Sequence, residues 1–469
     1  MRILLKNGKI INEGRSFIGN LLIKDDTIDS ITELYSELYS MEDNSATNTK
    51  SLGINSQTPA NQDYDILIDC TNLCIVPGII DDQVHFREPG NTHKGDICSE
   101  SAAAVLGGVT SYMDMPNNNP PVVTIERVEE KNRIATSGSF ANWSFYLGAN
   151  NNNIKEIVNT DPSKTCGIKV FMGSSTGNML VDDPSVLEQI FSLSPVLIAT
   201  HCEEEAIIRN NFEKVMESHP DPRDFSVHSL IRSRQACIES THKAIDLALR
   251  HRSRLHILHL STAEEIEMIR EAKEKSDKIT GEVCVHYMLL DDRDYTRYGS
   301  LMKCNPSIKK QSDREAIIQA VRDGVIKVVA TDHAPHTYEE KSGDYLNTPS
   351  GLPLVQHSFQ IMWDLHKEGA FCEHTVVDRM SHSPAKNFNI DRRGFLREGY
   401  YADIMVFDPS KPDNKTTFYP AYKCGWSPFR GRTFSSSVIH TFVNGVHVVS
   451  EGMLTGAKGG KQLVFKHGK

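Results

Sequence analysis

The segment Gly78-Ile-Ile-Asp-Asp-Gln-Val-His-Phe-Arg-Glu-Pro-Gly90 sets Gln83, His85 and Arg87 at alternate positions, so an extended backbone turns all three to one side. An imidazole there offers one metal ligand and a guanidinium one clamp for an anion, whereas the plainer alternative is a solvated loop closed by Pro-Gly. Lys169 stands inside the apolar run Gly167-Ile-Lys-Val-Phe, where an unpaired ammonium is costly. Carbamylation by CO2 would turn it into a metal-bridging carboxylate; a salt bridge or an outward, snorkelling side chain are the alternatives. His201 in Ile198-Ala-Thr-His-Cys-Glu and His259 in Ile257-Leu-His-Leu-Ser-Thr each close an apolar strand before a helix. Either alone reads as a structural histidine, but two at equivalent strand ends point to a metal. The sharpest signal is Ala330-Thr-Asp-His-Ala-Pro-His336, where Asp332 can ligate through one oxygen and accept a proton from water through the other. One carboxylate, three histidines and a modifiable lysine suit a hard divalent ion, zinc first. His256, His286, His333 and His382 are left unassigned or structural.

These residues need a scaffold that delivers them to one place. From Gly78 to about Arg392, brief apolar runs (Val109–Met113, Ile168–Phe171, Val196–Ala199, Leu255–Leu258, Val283–Val285, Ile326–Ala330) end in polar clusters and hand over to helical patterns. Helices are expected over Glu203–Ser218, Ser233–Arg250, Ala263–Lys275 and Asp313–Arg322, with Ser261-x-x-Glu264 as a capping box. Strand then helix, repeated, implies parallel strands with crossover helices, as a (β/α)8 barrel or a doubly wound sheet. The absence of G-x-G-x-x-G and G-x-x-x-x-G-K-[ST] weakens the nucleotide-binding form of the latter. The candidate residues fall at the C-terminal strand ends, where barrels carry their sites. Residues 1–77 read as short strands of a β module interrupted by an exposed, polar insertion at about 33–63; residues 78–393 as the barrel; and residues 394–469 as returning strands, with Asn444-Gly445 as a type I′ hairpin turn. The two ends are expected to combine into one flanking module.

With 51 basic against 61 acidic residues, a net charge of −10 and no basic block, neither nucleic acid nor an anionic membrane is an expected partner; a small molecule is. No run approaches the roughly 20 apolar residues of a membrane span, and MRILLKNGKIINEG turns polar too soon for a secretory signal, so the expected location is cytoplasmic. The ten cysteines are scattered singly, without C-x-x-C, and read as reduced and mostly buried.

With those residues assembled, the chain resembles the dihydroorotases of the amidohydrolase superfamily from its first strands to its last. The marks are His85-x-Arg-Glu-Pro-Gly90, Met115-Pro-Asn-Asn, Asn305-Pro and Asp332-His-Ala-Pro-His. The resemblance implies a (β/α)8 TIM barrel with a small composite β-sandwich, and one or two zinc ions held by an H-x-H pair, a carbamylated lysine, two more histidines and an aspartate. Carried onto this sequence, His85, Lys169, His201, His259 and Asp332 are the ligands, with Asp332 also the proton shuttle. Arg87, Asn117 and His336 hold the substrate carboxylate and ring, and Asn305 lines the pocket. It further implies reversible interconversion of (S)-dihydroorotate and N-carbamoyl-L-aspartate in de novo pyrimidine biosynthesis, by an enzyme whose other partner is its own second copy in a homodimer. Hydantoinases and allantoinases share the ligands but act on rings without the carboxylate that Arg87 would clamp. One position departs from the pattern: Gln83 stands where the first histidine of H-x-H belongs, and its neutral amide oxygen is a weaker zinc ligand. That substitution motivates the competing reading of a silent scaffold that binds a partner enzyme such as a carbamoyltransferase.

Overall fold

The computed structural model describes residues 1–36, 63–173, 179–219, 221 and 223–466. Strand then helix, repeated, closes into a barrel. Its staves are β6 (Ile79–Val84), β7 (Val109–Asp114), β8 (Asn142–Phe145) running on into β9 (Leu147–Gly148), β10 (Ile168–Phe171), β11 (Ile198–His201), β12 (Leu255–Ile257), β13 (Ile279–Cys284) and β14 (Val328–Ala330). Every neighbouring pair is parallel. The circle closes where Val84 bridges His333 and the His85 amide donates to the His333 carbonyl. Runs such as Ile168–Phe171 and Ile198–His201 are buried on both faces, which is why they read as unbroken apolar stretches rather than alternating ones.

The chain ends build a nine-stranded sheet beside the barrel. Its first part is β1 (Arg2–Asn12), β2 (Arg15–Lys24), β3 (Thr27–Ser36), β4 (Ile66–Asp69) and β5 (Cys74–Pro77); its second is β15 (Ile404–Asp408), β16 (Ser437–Val443), β17 (Val446–Ser450) and β18 (Met453–Leu454). The halves join where β15 pairs with β5, Ile404 opposite Pro77 and Phe407 opposite Cys74. Ile3, Leu5, Leu21, Ile23, Ile75, Ile404, Val406 and Phe442 form its own apolar cluster. β1 buries alternate residues, the pattern of a strand with one covered face. Asn444 and Gly445 carry φ of 50° and 73°, as the type I′ turn between β16 and β17 requires.

Three local expectations are corrected. Residues 33–36 belong to β3, not to an exposed insertion: Gly19 pairs with Glu33 and Ile18 with Tyr35. The strand was hidden because polar residues interrupt its apolar ones along a sheet edge, leaving neither a clean alternation nor an apolar run; the rest of that segment, 37–62, lies outside the described residues. The runs at Ile3–Leu5 and Lys9–Ile11 are one strand carried past a register shift between Leu5 and Gly8. The helix Ala263–Lys275 is capped one residue later than read, by Thr262, whose side chain accepts from the Glu265 amide while Glu265 reaches back to Thr262. All ten cysteines are free; Cys98 and Cys372 are exposed and Cys424 half-buried.

Candidate active site

Gln83, His85, Arg87, Asn117, Lys169, His201, His259, Asn305, Asp332 and His336 all line one cavity of about 320 Å³ at the C-terminal end of the barrel, joined by Phe171, Arg232 and Gly351. Gln83 is the fifth residue of β6, and His85 and Arg87 follow beyond its end on the same side. His201 ends β11, while His259 and Asp332 stand two residues past β12 and β14. Arg87, His259 and Asp332 have φ of 68°, 40° and 51°, left-handed conformations that these side chains rarely adopt and that cost ~1–3 kcal/mol each. Gly351 packs so closely that a Cβ there would lie 2.5 Å from the Ala334 carbonyl and 3.1 Å from the His336 ring.

In the same cavity as the histidine pair, Asp332 Oδ1 lies 3.1 Å from Gln83 Nε2 and 3.0 Å from His85 Nε2, and His85 Nδ1 lies 2.6 Å from Asn117 Oδ1. Within the pair, His201 Nδ1 faces His259 Nε2 at 3.0 Å. His201 Nε2 donates to Glu203 Oε2 at 2.9 Å, and Glu203 is paired with Arg232. Burial works to raise the Glu203 carboxyl, but Arg232 and His201 overcome it and hold it at about 2. The same burial pushes both histidines down, His259 well below the ordinary range, with Glu203 partly restoring His201. Both rings are therefore neutral, with nitrogen lone pairs to offer. Lys169, 1% exposed, points its Nζ over the Phe171 ring at 4.5 Å, and burial drops its ammonium to about 8 against the pull of Asp332 and Glu282. Among the described residues no carboxylate oxygen lies within 4.0 Å of that Nζ, so neither the salt bridge nor the outward placement describes it.

Arg87 is a buried guanidinium in the same cavity. Burial lowers its guanidinium to about 10, still charged, with Asp332 and Asp114 opposing. Nε donates to the Pro335 carbonyl at 3.0 Å and Nη2 lies 3.1 Å from His336 Nε2. His336 is forced neutral by burial and by Arg87, Lys94 and Lys341, and Trp426 donates to its backbone carbonyl at 2.7 Å. Asn305 Oδ1 is buried without a hydrogen-bond partner among the described residues.

Of the unassigned histidines, His333 donates from Nε2 to Glu100 and accepts the Leu354 amide at Nδ1, and His382 bridges the Glu13 amide and the Gly394 carbonyl; both are structural. His286 is buried with both nitrogens unpartnered. His256 sits 3.2 Å from Asp82 and from Glu282, the described trio whose ligand atoms lie within 4.8 Å of one another. Burial and then Asp82 raise the Glu282 carboxyl well above the carboxylate range. Glu203 and Arg232 were missed in the sequence: Glu203 lies in the acidic run Glu203-Glu-Glu, where nothing marks one member as buried, and Arg232 sits in a polar connection.

The residues present fit a divalent ion. Two neutral imidazoles turned nitrogen to nitrogen, a buried His259 Nδ1 and a buried lysine that have no partner or counter-ion among the described residues, and a carboxylate in the same cavity form a donor set that hydrogen bonds leave incomplete. The carboxylate behind His201 supplies the usual outer support of a ligating histidine.

The model of the amidohydrolase family matches residues 74–448. A protein named Dihydroorotase from Enterococcus faecalis is 30% identical over 96% of this chain and 99% of its own, and one from Methanosphaera stadtmanae is 30% identical over 84% and 89%. The solved L-hydantoinase of Arthrobacter aurescens superposes with a TM-score of 0.89 over 98% of this chain and 99% of its own, at 22% identity, a likeness of fold. On its family match, and on relatives that align almost end to end, this chain belongs to the amidohydrolase family.

Proposed function

We propose that this pocket opens the ring amide of (S)-dihydroorotate reversibly to N-carbamoyl-L-aspartate, using zinc whose ligands are drawn from His85, Lys169, His201, His259 and Asp332. The relatives named Dihydroorotase support the substrate, and one observation carries it: Arg87, 7% exposed and charged, has no carboxylate within 4.0 Å among the described residues. A buried guanidinium in a cavity calls for an anion, and a neutral ring would leave it poorly paired. Lys169 is taken as a carbamate: its neutral amine adds CO2, forms the N–C bond and releases a proton, and an ammonium lowered to about 8 keeps free amine available.

When bound, the metal lowers the pKa of its water toward about 7 and polarises the carbonyl under attack. Arg87, Asn117 and His336 grip the carboxylate and ring, so that attack is effectively intramolecular, and Asn305 lines the ring's other side. Asp332 removes the proton as the new C–O bond forms and hands it to the ring nitrogen as C–N breaks; ring closure runs the same path backwards.

Zinc-loaded protein should open dihydroorotate with kcat/KM at least ~100-fold above hydantoin or allantoin, read as ring opening in parallel assays. Preference for hydantoin would replace the assignment with a hydantoinase-type amidase. A folded, zinc-bearing protein that opens none of the rings would favour the scaffold.

A further inference from the structure

The two halves of the pocket are finished differently. On the carboxylate side the side chains are turned to one another: Gln83 Nε2 and His85 Nε2 to Asp332 Oδ1, and His85 Nδ1 to Asn117 Oδ1. Gln83 is 1% exposed, with Cys284 Sγ 3.9 Å from its Oε1. To offer that oxygen to an ion beside Asp332, the amide must exchange its two ends, which breaks the Nε2 contact and sets two oxygens against each other. The gain would be a neutral, weak ligand. On the histidine side the opposite holds: His201 Nδ1 and His259 Nε2 face each other at 3.0 Å, Glu203 fixes the His201 ring from behind, and Lys169 has no counter-ion among the described residues.

We propose, resting on the hydrolase reading above, that this chain seats a single divalent ion, between His201, His259 and the Lys169 carbamate. Gln83 is then a positioning residue that holds Asp332 through its amide hydrogens, where the family pattern has a histidine for a second ion.

The full chain is saturated with zinc in bicarbonate buffer, freed of loose metal by gel filtration and analysed by atomic emission. One equivalent per chain is expected. Two equivalents would overturn the single seat and leave the hydrolase reading standing; none would overturn the hydrolase reading itself. Gln83→His should rise to two equivalents, and a folded variant that stays at one would remove Gln83 as the cause. His85→Ala should keep its one zinc and His201→Ala should lose it; the reverse pattern would move the seat to the other side. Gln83→Ala should keep one zinc, lower kcat about tenfold with KM little changed, and shift the acidic limb of the kcat pH profile, as expected of a misaligned base. A loss of thermal stability with that limb unmoved would make Gln83 merely structural.

Discussion

Asp332 gathers more of the site onto one side chain than any other residue. It stands in a left-handed backbone conformation, takes contacts from Gln83 and His85 on one oxygen, and lines the same cavity as the His201 and His259 pair. Asp332→Asn keeps the shape and removes the base, so turnover of dihydroorotate should fall by ~10²–10⁴ while KM stays nearly unchanged, measured by steady-state ring opening. An unchanged kcat would exclude it as the proton carrier. The residue types were readable because each chemical group sits at the end of an apolar run, where a buried polar side chain needs a reason. The turn of the backbone at Arg87, His259 and Asp332 was not readable, since none is glycine and strain at such positions comes from surrounding packing rather than local preference. Nor was Glu203 singled out, because its burial behind His201 is a tertiary fact that an acidic run does not announce.

The elements that carry these groups depend on short local devices. Thr262 begins the helix Ala263–Lys275 three residues after His259, and its hydroxyl and Glu265 satisfy each other's amides. Thr262→Ala should lower unfolding free energy by about 1 kcal/mol with kcat almost unmoved, checked by urea titration beside an activity assay. A large loss of kcat would mean that the cap also sets the His259 backbone. Leu-Ser-Thr-Ala-Glu-Glu contains two overlapping Ser/Thr-x-x-Glu frames, and pattern alone could not choose between them. The choice falls to Thr262 because Glu265, 2% exposed, is also bonded to the Thr241 hydroxyl at 2.9 Å. Helices with a strong apolar stripe were legible to within two residues, and Ala263–Lys275 without error. The edge strand β3 and the brief stave β8 escaped, the first because polar residues fall on both of its faces and the second because Asn142-Trp-Ser-Phe145 mixes polar with apolar residues over only four positions.

At the scale of the whole molecule, barrel and sheet are pinned by buried charge. Asp403 accepts from Arg393, from Asn142 Nδ2 at 3.0 Å and from the Asn444 amide at 2.8 Å, tying β8 to the strands of the chain's far end. Glu373 makes a second joint, with Lys9 Nζ at 3.1 Å and the Ser16 hydroxyl at 2.6 Å. Burial alone would raise the Glu373 carboxyl, but Ser16 and Lys9 hold it below its ordinary 4.5. Its folded pKa is thus the lower one, so its stabilisation is complete above about pH 4.5 and disappears as the pH falls through the folded value. Glu373→Gln should therefore be weaker by about 0.5–1 kcal/mol near neutrality, and its urea midpoint should converge on that of the parent between about pH 6 and pH 3. A gap that persists in acid would assign the effect to packing. The seam where Val84 meets His333 joins the first stave to the last, and it puts Gln83 against Asp332 across 249 residues of chain. No arc of the circle, however well formed, contains the proposed proton carrier together with the side chains proposed to aim it. Hydrolysis is therefore a sensor of closure: a chain nicked or permuted so that the ring gapes at this joint would go silent while its helices and most of its staves still stood.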